Sequence, residues 1–261
     1  MSKEEQVKQE QAVEEVKETE TQLSTQTEAP MGFEDDDPSD LIIPRIKVIN
    51  ALSPERKDKL ADEGDIINSL TKDKLNGKIF VPVYKFTNII LWKDRADGGG
   101  IAAISRDGKT MIPTNGDAPY PVGKLADFDN TKTGKDAQPT HVKYINFFGF
   151  IEGERMPIIL SFAKTNYAEG KRLYSLAKVT LQNMWNNGYR LDSKLMKKAA
   201  NEWYNCVVTP TGATSPEDRA FGMEMYKMFR NADLNYDIED QTGSEPTPAT
   251  SSEQELKDAE F

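Results

Sequence analysis

Lys78-Ile79-Phe80-Val81-Pro82-Val83-Tyr84-Lys85-Phe86-Thr87-Asn88-Ile89-Ile90-Leu91-Trp92-Lys93 is the longest β signal in the chain. Its β-branched and aromatic residues suit a pleated, half-buried surface. Strict alternation sets Phe80, Tyr84, Phe86, Ile90 and Trp92 on one side and Val81, Val83, Ile89 and Leu91 on the other. Both sides are apolar, and one carries nearly all the rings. Either this strand is covered on both faces, or its aromatic face stays open for a planar ligand. Pro82 and the Thr87-Asn88 pair predict a bend or a break within it.

Reading outward, an Asn76-Gly77 turn precedes this strand, and short strands are expected before it at 41–49 and 64–71. Gly98-Gly99-Gly100 turns the chain into Ile101–Ser105, and Arg106-Asp107-Gly108-Lys109 turns it again. The stretch 111–140 is weakly patterned and reads as a long loop with a mobile tip near Asn130 to Asp136. Strands at 141–151 and 156–164 form a hairpin across Glu152-Gly153-Glu154-Arg155. A helix is expected from Tyr167 to Asn186 with Gly188 as its stop, another turn or two of helix over 192–200, and a strand over 202–210. Ser215 as N-cap, with Pro216 at the first helical position, predicts a last helix to about Asn231.

Strands outnumber helices and are joined by turns rather than by crossover helices, which disfavours a doubly wound parallel sheet. The expected fold is mainly β with two or three helices, an OB-fold-like β-barrel elaborated by long loops. Charge divides the chain into three parts. Residues 1–40 hold 13 acidic residues against three lysines, and residues 233–261 hold nine against Lys257, whereas 41–232 carry 29 basic and 21 acidic residues. The expected organisation is therefore a disordered acidic tail at 1–40, a nucleic-acid-binding domain at 41–232 and a disordered acidic tail at 233–261. A basic body between acidic ends points toward nucleic acid despite an overall charge of −10.

Cys206 and His141 are the only residues of their kinds, which excludes the common Cys/His zinc sites and leaves any Ser-His-Asp array dependent on His141. Cys206 reads as a small buried hydrophobe and His141 as a strand-edge residue. Carboxylates for a metal-dependent nuclease would come from Asp94, Asp97 and Asp107, or from Asp127 and Asp129, and neither set has motif spacing. Gly98-Gly99-Gly100 lacks the Lys-Ser/Thr of a phosphate-binding loop. No apolar run approaches the ~18 residues of a membrane span, so a soluble protein without membrane contact is expected. No cofactor, metal or catalysed reaction is expected.

Candidate nucleic-acid-binding residues lie within or beside the long strands: the rings Tyr84, Phe86, Trp92, Tyr144 and Phe148 as stacking platforms, and Lys85, Lys93, Arg95, Arg106, Lys109 and Lys143 along a phosphate path. The plainer reading of any one ring is core packing. A second basic group, Lys171, Arg172 and Lys178, reads as the solvated face of a helix.

The stretch Asp40-Leu41-Ile42-Ile43-Pro44-Arg45-Ile46-Lys47, with Ala51-Leu52-Ser53-Pro54-Glu55 and Gly64-Asp65-Ile66-Ile67-Asn68-Ser69-Leu70-Thr71, resembles a tailed-bacteriophage family whose members are sometimes described as single-stranded-DNA-binding proteins. The acidic segment ending in Phe261 is similar in layout to the tails of bacterial and phage single-stranded-DNA-binding proteins, although it is diluted by Thr, Ser and Pro and carries Lys257. That resemblance implies sequence-independent binding of single-stranded DNA in phage replication or recombination, in the cytoplasm of an infected bacterium. It also implies that Asp258, Glu260 and Phe261 recruit replication or recombination proteins while the tail competes with DNA. The alternative expectation is a non-enzymatic virion or host-takeover adaptor.

Overall fold

The computed structural model describes residues 42–93, 100–122, 141–199 and 201–231. The expected tails, the tip near Asn130 to Asp136, Arg95, and Asp258, Glu260 and Phe261 lie outside the described residues.

Among the described residues, ten strands and two full helices carry the fold. A ribbon of β1 (Ile46–Val48) and β2 (Ile66–Asn68) flanks the single turn α1 (Pro54–Lys57). The main sheet contains β3 (Ile79–Trp92), β4 (Ile101–Ser105), β5 (Thr110–Pro113), β6 (Tyr120–Pro121), β7 (His141–Ile151), β8 (Pro157–Ala163), β9 (Asn187–Lys198) and β10 (Asn201–Ala213). Its helices are α2 (Tyr167–Val179) and α3 (Pro216–Phe229). Every strand pair in this sheet is antiparallel. The fold is mainly β with helices, as expected, and the sheet is unclosed: among the described residues nothing pairs β8 with β10.

The long strand β3 is the hub. It pairs with β7 along one edge from Phe80 to Leu91, and on its other edge with β9 at Ile79–Phe80 and β4 at Ile89–Trp92. Register slips between Pro82 and Tyr84, so Val83 is an extra residue in the ladder. Strict alternation therefore fails beyond Pro82. Phe80 faces the layer of Phe147, Leu160, Phe162, Leu173 and Tyr189, whereas Tyr84 and Phe86 turn to join Val81 and Val83 against Phe148, Phe150, Ile159 and Met225.

Both faces are covered, because α2 packs on the first layer and α3 on the second. Each fully buried Phe contributes roughly 2–3 kcal/mol. Two smaller clusters, Ile89 with Ala103 and Met111, and Ile90 with Val142 and Tyr144, fill the far end of the sheet. The free side of β10 is sealed by α2 and the turn before it. Asn166 donates to the Cys206 carbonyl at 3.1 Å, Val208 N–H donates to Glu169 at 3.0 Å, and Arg172 donates to the Val208 carbonyl at 2.7 Å. Side chains here satisfy backbone groups that would otherwise invite another strand.

Three local expectations are corrected. Residues 192–198 belong to a strand, not a helix, because ladder bonds to β10 override their lysine-rich composition. The segment 111–121 contains two short strands rather than only loop. The helix from Tyr167 ends at Val179, and Gly188 serves close packing instead of a helix stop, since a Cβ there would sit 2.6 Å from Ile79 Cγ2 where β9 meets β3. The N-cap of α3 is as read, with Ser215 Oγ accepting from Asp218 N–H at 3.0 Å.

Candidate nucleic-acid interface

The sheet sorts the expected binding residues onto opposite faces. Tyr84, Phe86 and Trp92 share a face with their cross-strand neighbours Phe148 and Tyr144, while Lys85 and Lys143 point to the other side with Thr87 and Ile89.

Three of the expected platforms are core. Tyr84, Tyr144 and Phe148 are buried, which removes them as surfaces for stacking a base. The extra residue at Val83 is the cause for Tyr84, since it swings the ring under α3. There it lies 5.0 Å from the Phe148 ring, and its hydroxyl donates to the Phe229 carbonyl at 3.1 Å. Burial pushes the Tyr84 phenol well above its ordinary pKa, and desolvation pushes Tyr144 up to about 12. Phe86 and Trp92 are half-buried, one against Tyr84 and the other against Ile90, Val142 and Tyr144.

The cations fare differently. Lys93, Arg106, Lys109 and Lys143 are exposed, and Lys85 is half-buried. Arg106 and Lys109 sit in the β4–β5 turn, which follows Ser105 where it pairs with Ile89 of β3. Asp107 holds that turn by accepting from the Lys109 and Thr110 N–H groups, both at 2.8 Å. Those backbone bonds keep its carboxyl far below the usual aspartate range.

What Lys85 meets instead is a ring from α2. Its Nζ lies 5.0 Å from the centre of the Tyr174 ring, and Lys178 Nζ lies 5.7 Å from the same ring. Two turns earlier the pattern repeats, with Lys171 Nζ 5.2 Å from the Tyr167 ring. Tyr167, Lys171, Tyr174 and Lys178 follow one another at helical spacing, forming a ring-and-cation stripe about 16 Å long on one face of α2. The tyrosines are half-buried over the core, and the two helix lysines are exposed.

Among the described residues, no carboxylate lies within ion-pair distance of Lys85, Lys143, Lys171 or Lys178. Glu169, the acidic residue of α2, is held by Arg172 at 2.6 Å and by the Val208 amide. Ammonium groups with no carboxylate partner attract anions, a chain of phosphates among them. The sequence held a signal for this in Tyr167/Lys171 and Tyr174/Lys178, two pairs four residues apart. Their juxtaposition with Lys85 required the fold.

A family model described as "Pam3 phage gp34-like protein" matches residues 8–235, and the chain belongs to that family. No curated protein and no solved structure matches the chain.

Proposed function

We propose that this member of the Pam3 phage gp34-like family binds single-stranded DNA without sequence preference during phage replication or recombination in the host cytoplasm, and catalyses no reaction itself. The observation that carries the reading is the convergence of Lys85 and Lys178 on Tyr174, continued by Lys171 on Tyr167, with no carboxylate at ion-pair distance from these lysines among the described residues. Lys143 extends the cationic ground on the same sheet face. In this reading the lysines take phosphates, while Tyr167 and Tyr174 give limited contact to bases; Phe86 and Trp92 lie on the opposite face of the sheet and take no part. The acidic C-terminal segment, with Asp258, Glu260 and Phe261, competes with DNA for this surface and docks partner proteins.

The test is oligo-dT binding followed by fluorescence anisotropy across a salt series. Affinity is expected to fall steeply as salt rises, and replacing Lys85, Lys171 and Lys178 by Ala is expected to flatten the log–log slope by about 2, roughly 0.7 for each lost phosphate contact. Absence of salt-dependent binding by the unaltered protein overturns the reading and favours an adaptor. Cleavage of the oligonucleotide with magnesium or manganese present overturns the non-enzymatic part.

A further inference from the structure

Helix α2 ends in a way that folding alone does not favour. After Thr180, whose hydroxyl donates to the Ala177 carbonyl at 2.8 Å, Leu181 adopts φ +51° and its N–H bonds the Lys178 carbonyl at 3.2 Å. This left-handed position past a helix end is where Gly or Asn is preferred, because a side chain there crowds the backbone. Leucine is a poor occupant, and it gains no burial in return. Leu181 is 93% exposed, and Val179 beside it is 80% exposed. The corner thus combines backbone strain with two aliphatic side chains in water, at a spot fixed by hydrogen bonds. Strain held in place by its surroundings is a reason to look for a role in binding.

The position of the corner suggests one. Tyr167, Lys171, Tyr174 and Lys178 advance along one face of α2, and Leu181 stands three residues after Lys178, just past the end of the helix. The exposed aliphatic tip is therefore close to where a strand held by the lysines would run, and apolar side chains in other nucleic-acid-binding proteins part neighbouring bases as wedges.

We propose that the Val179–Leu181 corner is a wedge that parts stacked bases of a nucleic-acid strand lying along α2. This rests on the binding role proposed above for the α2 stripe. The lysines hold the backbone, and Leu181 enters the gap between two bases, replacing base–base contact by base–aliphatic contact. The left-handed turn aims the side chain outward and keeps it from folding back onto the helix.

The experiment uses the full chain and an adenine-rich single strand with one 2-aminopurine, whose fluorescence rises when it is unstacked. Binding is followed separately by anisotropy of an end label. The unaltered protein is expected to bind and raise the 2-aminopurine signal. Leu181→Gly, which relieves the strained turn, and Leu181→Ala, which keeps it, are both expected to lose that rise. Their affinities should change by less than about threefold, because the phosphate contacts that dominate binding stay in place. An undiminished rise in both variants overturns the wedge while leaving the binding role standing. A loss of affinity in both as large as that of the lysine variants also overturns it, since the corner is then an ordinary contact. Failure of the unaltered protein to bind at low salt overturns the binding role, and the wedge with it.

Discussion

Gly149 has no room for a methyl group. A Cβ placed on it would lie 2.2 Å from the Val81 carbonyl oxygen and 2.8 Å from the Phe80 ring, at the point where β7 crosses the irregular Pro82–Tyr84 stretch of β3. Pro82 cannot donate to the ladder, and the extra residue Val83 lets β3 step past it; Gly149 lets the two backbones close up on the other side. Gly149→Ala is therefore expected to destabilise the protein by about 3 kcal/mol, read as a lowered urea midpoint. This one irregularity decides which rings are core. Pro82 was legible as a disturbance, but alternation counted on either side of it assigns Tyr84 and Phe86 to the wrong face. No residue type announces an inserted position, which depends on what the neighbouring strand can tolerate.

Among the elements, the β1–β2 ribbon is held at its borders by charge. Glu55, following β1, accepts from Lys47 at 3.0 Å and from Lys72 at 3.4 Å, and Asp65, at the start of β2, pairs with Lys74 at 2.7 Å. Burial acts to raise the Glu55 pKa, but hydrogen bonds from its own backbone amide and from Lys47, with the charges of both lysines, outweigh it and leave the value below normal. Asp65 is lowered too, against a desolvation effect, by its bonds to Lys74 and to the Asp62 backbone. Depressed carboxylate values stabilise the fold above the unfolded-state range and cease to do so as pH falls through the folded values. Urea midpoints are expected to decline between about pH 5 and pH 3, and Glu55→Gln is expected to make that decline shallower. Elements with strong local marks were legible, namely the length of β3, the β7–β8 hairpin and the capped start of α3. Strand β9 was not, because Asp192 to Lys198 takes its conformation from β10 rather than from its own residues. The stripe on α2 was half legible for a similar reason: its lysines read as an ordinary solvated face until Lys85 arrived from another element.

At the scale of the whole molecule, the central stretch 41–232 carries 29 basic against 21 acidic residues and is flanked by segments of opposite sign. A tethered polyanion acts at high effective concentration on any cationic surface within its reach. A chain stopping at Asn231 sheds nine acidic residues and Lys257, so it is expected to bind oligo-dT more tightly at low salt, with the advantage shrinking as salt rises. Unchanged affinity in that anisotropy comparison rules out competition by the tail. The seal on β10 ties this surface to solubility. Glu169 and Arg172 occupy Val208 from the same helix that bears Lys171, Tyr174 and Lys178, so the proposed grip on DNA and the guard on the sheet's border are one rigid piece. Any force or alteration that pries this helix loose bares a ready seam for stacking chain upon chain and undoes the proposed grip in the same event.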